Sequence, residues 1–169
     1  MRYYTGVGSR KTPKMIQAQM IQLALCLGEQ NWCLRSGAAE GADTAFELGA
    51  KHKQIFLPWA GFEGRFGNDY YTKPSAQAFE IAQMFHPAWH KLSQGAQKLH
   101  ARNVHQLGGP DLDDPSEFMV CWTEGGKTVN GTATAIRIAE EEGIPIFNFG
   151  SMSVADVFAG INKITRTVR

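Results

Sequence analysis

The sequence predicts an α/β protein with a doubly wound, Rossmann-like, mostly parallel sheet of about five strands and helices on both faces. Three observations support this fold class. Strand-like and helical segments alternate along the chain, the strands are continuous apolar runs, and three strands lead directly into glycine-rich turns. Alternation of this kind is typical of parallel strands joined by crossover helices. A strand that is covered on both faces is apolar throughout.

Five segments are predicted as strands because they are short apolar runs bounded by glycine, proline or polar residues. They are, in order, residues 1–5, 32–36, 54–59, 118–122 and 144–149. Helical spacing of the apolar residues predicts helices that end near residues 28, 50, 85, 93, 107, 143 and 166. Thr12 as an N-cap and Pro13 in the first turn indicate where the first helix begins.

A long loop over residues 60–75 separates the third strand from the helices that follow it. Its aromatic side chains are Phe62, Phe66, Tyr70 and Tyr71. Aromatic rings on such a loop either stack against a bound base or cover the core. The sequence leaves both alternatives open.

Length and composition narrow the classes of function. The chain has 169 residues, which predicts a single domain over residues 1–169. It has 17 Lys and Arg against 16 Asp and Glu, so nucleic acid is an open but unfavoured partner. No run reaches the ~20 apolar residues of a bilayer span, and "MRYYTGVGSR" lacks the apolar region of a signal peptide. We therefore expect a cytoplasmic protein that does not associate with a membrane.

The three cysteines, Cys26, Cys33 and Cys121, lack the spacing of a metal site. All three lie in apolar runs, so we expect buried, reduced thiols, as in other cytoplasmic proteins. The histidines likewise show no ligand pattern. The sequence therefore predicts no bound metal and no cofactor.

The main functional signal is the three glycine-rich segments that follow strands, "GVGSR", "SGAAEGAD" and "EGGKTVNGT". In a parallel sheet these segments meet at one edge, where ligands bind. A glycine turn that leads into a helix presents amide groups at the positive end of the helix dipole and so suits a phosphate. Ser9 and Arg10 add a hydroxyl and a guanidinium. The predicted ligand-binding residues of the three segments are Gly6, Gly8, Ser9, Arg10, Ser36, Gly37, Ala38, Gly41, Asp43, Gly125, Gly126, Gly131 and Thr132.

Two carboxylates follow the second glycine segment. Asp43 and Glu47 are four residues apart, which places them on one helix face. Like charges this close raise the pKa of one group, which suits acid–base catalysis. Alternatively, Asp43 only complements the helix dipole, and both acids pair with Arg35, Arg10 or a lysine.

The segments "YTGVGSRKTP", "LRSGAAEGADTAFE", "HARN" and "GGKTVNGTATAIRIAEEEGIPIFNF" together resemble the SLOG superfamily over about residues 3–150. The resemblance implies a Rossmann-like pocket for a nucleotide or a nucleotide-derived ligand. It also implies that Arg102 and Asn103 form an Arg-Asn pair near that ligand, and that the protein is a homo-oligomer. LOG-type phosphoribohydrolases of this superfamily carry two consecutive glutamates just after the Gly-Thr of the last loop. Here those positions are Thr134 and Ala135, so the usual carboxylate for N-glycosidic cleavage is missing from its usual place.

Three functions follow from these observations. The first is a binding module that holds a ligand of the ADP-ribose or cyclic ADP-ribose type, or a nucleoside monophosphate, as a sensor or by sequestering it. The second is a nucleoside 5′-monophosphate N-glycosidase that uses Asp43 or Glu47. The third is a DprA-like protein that binds single-stranded DNA, which the balanced charge disfavours. Whether the protein is an enzyme stays open, and the first function explains the missing glutamates best.

Overall fold

The computed structural model describes residues 1–167 and contains a six-stranded sheet in which neighbouring strands are parallel. The strands are β1 (Arg2–Gly6), β2 (Trp32–Ser36), β3 (His52–Phe56), β4 (Tyr70–Tyr71), β5 (Met119–Cys121) and β6 (Ile146–Asn148). Their order across the sheet is β4-β3-β2-β1-β5-β6. β2, β3 and β4 follow one another on one side of β1, and β5 and β6 lie on its other side. The strand order therefore reverses between β1 and β5. Ligands of such folds bind beyond the carboxyl ends of the strands at this reversal.

Helices cover both faces of the sheet. They are α1 (Lys14–Glu29), α2 (Ala42–Gly49), α3 (Ala76–Phe85), α4 (Gln94–Gly108), α5 (Ala133–Glu141) and α6 (Val154–Thr165). α1, α2 and α6 form one apolar core with Tyr4 of β1, Leu34 of β2, Val120 of β5 and Phe118, which directly precedes β5. α3, α4 and α5 form a second core with Met119 and Cys121. The predicted α/β class, with a parallel sheet covered on both faces, is therefore confirmed.

The sheet has one strand more than the five that the sequence predicts. Tyr70 and Tyr71, in the predicted loop 60–75, pair with Ile55 and Phe56 as the edge strand β4. A strand of two residues is too short to show a period of two, so the sequence pattern does not reveal it. The predicted helix ending near 93 is also wrong: it is a single 3₁₀ turn over Trp89–Lys91.

Two local predictions are corrected. Thr12 does not cap α1, because its hydroxyl donates to the Ser9 carbonyl (2.6 Å) and Pro13 occupies the N-cap position instead. Cys33 and Cys121 are buried as predicted, but Cys26 is exposed. Met15 and Leu25 of α1 are exposed apolar residues as well, so apolar character in this helix does not indicate burial. Within residues 1–167, no helix combines the length and the apolarity that a membrane span needs.

Candidate functional site

A cavity of about 270 Å³ lies beyond the carboxyl ends of β1 and β5, where the strand order reverses. Its walls come from the β1–α1 loop (residues 7–13), the β2–α2 loop (37–41), the β5–α5 loop (122–132) and the helices α2, α4 and α5. The predicted site residues in its lining are Gly8, Ser9, Arg10, Asp43, Arg102, Asn103, Gly131 and Thr132. The structure thus brings residues from all three glycine segments and from the Arg-Asn pair to one place.

The other predicted binding residues lie outside this lining. They are Gly6, Ser36, Gly37, Ala38, Gly41, Gly125 and Gly126. The Ser36 hydroxyl donates to the Gly6 carbonyl (2.6 Å), which joins β2 to β1. Gly41, at φ +89°, lies against the backbone of Ser9 and Arg10, and a Cβ there would stand 2.7 Å from the Ser9 carbonyl oxygen. These residues support the loops from behind.

Gly37 allows a close approach, but the approaching groups belong to α4. A Cβ at Gly37 would lie 2.1 Å from Gln106 Nε2 and 2.5 Å from Arg102 Nη1. The side-chain amide of Gln106 is oriented so that its oxygen faces donors and its nitrogen faces an acceptor. The oxygen then accepts from the Gly37 amide (3.2 Å) and from Arg102 Nε (3.3 Å). The nitrogen donates to Asn103 Oδ1 (3.3 Å). The glycine therefore makes room for a buried polar network that places α4 against the β2–α2 loop.

Arg102 is the centre of that network. The side chain is buried, and Nη1 donates to the carbonyls of Gly37 (2.5 Å) and Phe56 (3.1 Å). Its Nε lies 3.1 Å from Asn103 Oδ1. Burial lowers the pKa of Arg102 to about 10, and the charge of Asp43 offsets part of that effect. The guanidinium thus supplies a fixed positive charge at the cavity wall.

Asp43 is the buried carboxyl group of the cavity. Burial raises its pKa to about 6, while the charge of Arg102 and the amides of Ala39, Gly8 and Gly37 favour the ionised form. The Ala39 amide lies 3.3 Å from Asp43 Oδ2. The carboxyl group therefore joins the first two glycine loops, and it titrates close to neutral pH.

Glu47 lies in a different environment, away from the cavity. It forms ion pairs with Arg65 Nη1 (2.5 Å) and Lys53 Nζ (3.0 Å). Burial alone would raise its pKa, but the hydrogen bonds from Arg65 and Lys53 outweigh burial and lower it. The sequence predicts that repulsion between the two acids raises the pKa of one of them. The pKa of Asp43 is raised by burial instead. Within residues 1–167, no three side chains of His, Cys, Asp or Glu converge as a metal site requires.

The helix N-termini differ between the site and the rest of the molecule. α3, α4 and α6 are capped by the hydroxyls of Ser75, Ser93 and Ser153. Among the described side chains, none caps α1, α2 or α5, the helices that follow the three glycine loops. First-turn amides that meet no side-chain acceptor are the usual donors to a bound anion.

Thr134 and Ala135, which the resemblance matches to the glutamates of LOG-type enzymes, lie in the first turn of α5 just after the last loop. The Thr134 hydroxyl lies 2.7 Å from His100 Nδ1 in the buried interior. Burial and neighbouring positive charge lower the pKa of His100 to about 4, so the imidazole is neutral. Ala135 lines the cavity with a methyl group. This wall is therefore apolar where those enzymes present a carboxylate.

Several lining residues were not predicted from the sequence. Besides Lys11 and Val129 of the loops, they include Leu99 and Gln106 of α4. Leu99, Arg102 and Gln106 recur at a spacing of three and four residues, which places them on one helix face. Helical periodicity counted from Arg102 therefore indicates Leu99 and Gln106 as residues on the same helix face.

No protein-family model matches this sequence, and neither a curated protein nor a solved structure matches it.

Proposed function

We propose that the protein binds a nucleotide-derived anion in the cavity, with the phosphate against the β1–α1 and β5–α5 loops. The observation that carries this proposal is the convergence of the three glycine loops around one cavity. At α2 the amides of Ala42 and Thr44 donate to the carbonyls of Ser9 (3.5 Å) and Ala39 (3.2 Å), so the phosphate is assigned to the other two loops. Arg10, Lys11 and Arg102 line the cavity together with two carboxylates, Asp43 and Glu124. Arg10 Nη2 also pairs with Glu63 Oε1 (3.3 Å), an exposed contact that a phosphate would replace. A bidentate or charge-assisted contact from Arg10 would hold phosphate oxygens.

The size and chemistry of the cavity favour the smaller of the expected ligands. Its volume of about 270 Å³ lies near the lower end of the roughly 300–1,000 Å³ typical of small-molecule sites. A nucleoside monophosphate fits this volume better than ADP-ribose, which carries a second ribose and a second phosphate. Val7, Leu99, Val129 and Ala135 form the apolar wall against which a ribose or base would lie.

The resemblance to the SLOG superfamily remains part of this proposal, and the absence of the LOG-type glutamates at Thr134 and Ala135 favours a sensor or a sequestering module over a catalyst. Ala135 supports the same choice, because a methyl group occupies a position where the LOG-type enzymes place a glutamate. A module of this kind would release its ligand unchanged.

Binding is tested with purified protein and a panel of AMP, other ribo- and deoxyribonucleoside monophosphates, NAD, ADP-ribose and cyclic ADP-ribose isomers. We expect at least one compound to raise the Tm, and Arg10→Gln to raise its Kd about tenfold through loss of a charged hydrogen bond. Lys14→Gln, the same change of charge on an exposed side chain at the start of α1, is the matched control. Equal effects of the two substitutions would contradict this placement of the phosphate. Failure of every nucleotide, with salt-sensitive binding of an oligonucleotide, would favour the DprA-like alternative.

A second candidate function is N-glycosidic cleavage of a nucleoside monophosphate, and one observation favours it. Asp43 lines the cavity with a pKa of about 6, which suits a general acid or base near neutral pH. Chromatography of the incubated samples distinguishes the two functions. Free base that accumulates with time, and stops in Asp43→Asn while binding persists, would establish the enzyme. Ligand recovered intact would reject cleavage for that compound.

We further infer that two copies of the chain associate through the outer face of α1. Met15 and Leu25 are 83% and 48% exposed, and with Ala18 and Gln22 they form a stripe whose spacing of three and four residues is that of a coiled-coil seam. Antiparallel pairing of two such helices about a two-fold axis would bring Met15 of one copy to Leu25 of the other. In this arrangement the basic residues at the start of α1 in one copy attract Glu29 at the end of α1 in the other copy.

The association is tested by sedimentation of the wild-type protein and of Leu25→Glu. We expect the wild type to sediment as a dimer and the variant as a monomer, because a charge at the seam must lose water without gaining a partner. Met84→Glu places the same charge on a more exposed position, on α3 at the opposite face of the sheet, and should leave the dimer intact. A wild-type monomer at all concentrations would refute the inference.

A further inference from the structure

A second, apolar groove of about 440 Å³ lies where α3, α4 and α5 end, away from the loops that form the cavity. Its floor and walls include the apolar side chains of Ile81, Phe85, Leu107, Leu112, Ile138 and Ile144. α5 begins beside the cavity at Ala133 and ends beside the groove at Glu141, so the two sites lie at opposite ends of this helix. Nothing in the proposed nucleotide binding uses this groove.

The rim of the groove is acidic. Asp113, Glu141 and Glu142 line it, and among residues 1–167 no cation pairs with any of these three carboxylates within 4.0 Å. The converging helix C-termini add partial negative charge from their last carbonyls. Arg137 brings one positive charge nearby, and its Nη1 donates to the Phe85 carbonyl at the end of α3 (3.4 Å). Negative charge therefore exceeds positive charge around an apolar surface.

One wall of the groove is held in place by a strained residue. Leu112 has φ +59°, a left-handed conformation that a leucine adopts at a cost of about 1 kcal/mol or more. Its side chain packs over Gly108, where an added Cβ would lie 3.1 Å from Leu112 Cδ2. The same loop is anchored at Asp114, two residues after Leu112, because the buried Arg35 guanidinium donates to the Asp114 carbonyl. The wall is thus preformed and needs no rearrangement to receive a partner.

Met84 stands at the mouth of the groove with 80% of its surface exposed. A methionine on a flexible, unbranched side chain adapts to the shape of an apolar partner. Its position beside the acidic rim combines an adaptable apolar contact with complementary charge. A partner with one apolar face flanked by lysine or arginine satisfies both features.

We propose that this groove binds a cationic amphipathic helix of another protein, with its apolar side chains on α3 and α5 and its basic side chains against Asp113, Glu141 and Glu142. Recognition of amphipathic helices by an apolar groove relies on such anchors at helical spacing. A second copy of this chain is a poor occupant, because a symmetric contact would place the acidic rims against each other.

The test uses a fluorescent synthetic peptide made of leucine and lysine at amphipathic helical spacing, and a counterpart with glutamate in place of lysine. We expect the cationic peptide to bind the full chain and the acidic peptide not to bind. Glu141→Lys should raise the Kd about tenfold, and Met84→Gln about threefold to tenfold. The matched controls are Asp156→Lys and Leu48→Gln, which make similar changes on exposed positions of α6 and α2. Neither control should change the Kd by more than about twofold.

Three results would overturn the proposal. They are the absence of binding by the cationic peptide, equal weakening by the groove and control substitutions, and equal binding of the acidic peptide. Self-association of the wild type that Met84→Gln abolishes would assign the groove to a second copy instead. The nucleotide panel measures binding to the cavity, and the peptide measures binding to the groove. Failure of the proposed nucleotide binding is therefore distinguishable from failure of the proposed helix binding.

Discussion

Arg102→Met is expected to lower the free energy of unfolding by about 3–5 kcal/mol, a large share of the ~5–15 kcal/mol typical of a domain. The substitution keeps an unbranched side chain in the space between α4 and the β2–α2 loop. It removes the hydrogen bonds to the carbonyls of Gly37 and Phe56 and leaves them buried. It also leaves Asp43 without its nearest favourable charge. Urea unfolding at pH 7 measures the loss as a change in midpoint at constant slope.

The matched control is Arg137→Met on α5. Arg137 is half-buried and has a single long hydrogen bond, 3.4 Å to Phe85, so we expect a loss of at most about 1 kcal/mol. The double variant Arg102→Met with Asp43→Asn should recover part of the loss, because it removes the uncompensated charge as well. An Arg102→Met protein as stable as wild type would refute the central role of this network.

The contribution of Asp43 to the free energy of unfolding is expected to fall as the pH rises from about 4 to about 6, and Asp43→Asn is expected to remove that contribution. The folded-state pKa of Asp43, about 6, lies above its ordinary value of 3.8. Between these values the folded chain binds more protons than the unfolded chain, so raising the pH favours unfolding. The difference in free energy of unfolding between wild type and variant should change by about 2–3 kcal/mol across this window.

Glu47 contributes with the opposite sign, which is why the comparison with Asp43→Asn is needed. The pKa of Glu47 is lowered in the folded state, and burial lowers that of His100 to about 4, so the stabilising effects of both groups are lost as the pH falls. These contributions are the same in wild type and variant and cancel in the difference. Carbon NMR of labelled aspartate side chains gives an independent measurement: one resonance should titrate near pH 6 and be missing in the variant. A difference that does not depend on pH would contradict the burial of an ionisable Asp43.

The sequence predicts the sheet, the edge that carries the site and the loops that form it, because these depend on local pattern and on chain order. It predicts the purpose of Gly37 less well. A glycine is required wherever another group approaches the backbone closely, whether that group is a ligand or a side chain from elsewhere in the chain. Here the approaching groups, Arg102 and Gln106, come from a helix more than sixty residues later. No local pattern carries that information.

Glu47 illustrates the same limit. Its helical spacing from Asp43 is as the sequence indicates, but its environment depends on Lys53 and Arg65. Arg65 lies in the segment that the sequence shows only as an aromatic loop. The pKa of a carboxyl group depends on the charges that face it in three dimensions. Spacing along one helix therefore does not determine which of two carboxyl groups lies in the cavity.

The position of β1 at the centre of the sheet bears on how the protein is made. β1 pairs with β2 early in the chain, but its other edge pairs with β5 only when Met119 and Val120 have been synthesised. Pairings between distant segments form slowly, since a long loop must close first. The cavity needs loops from both halves of the chain, so it cannot form before Thr132 and Ala135 have been synthesised. A ligand that contacted the β1–α1 and β5–α5 loops together would join the early and late halves of the chain and would stabilise the folded state.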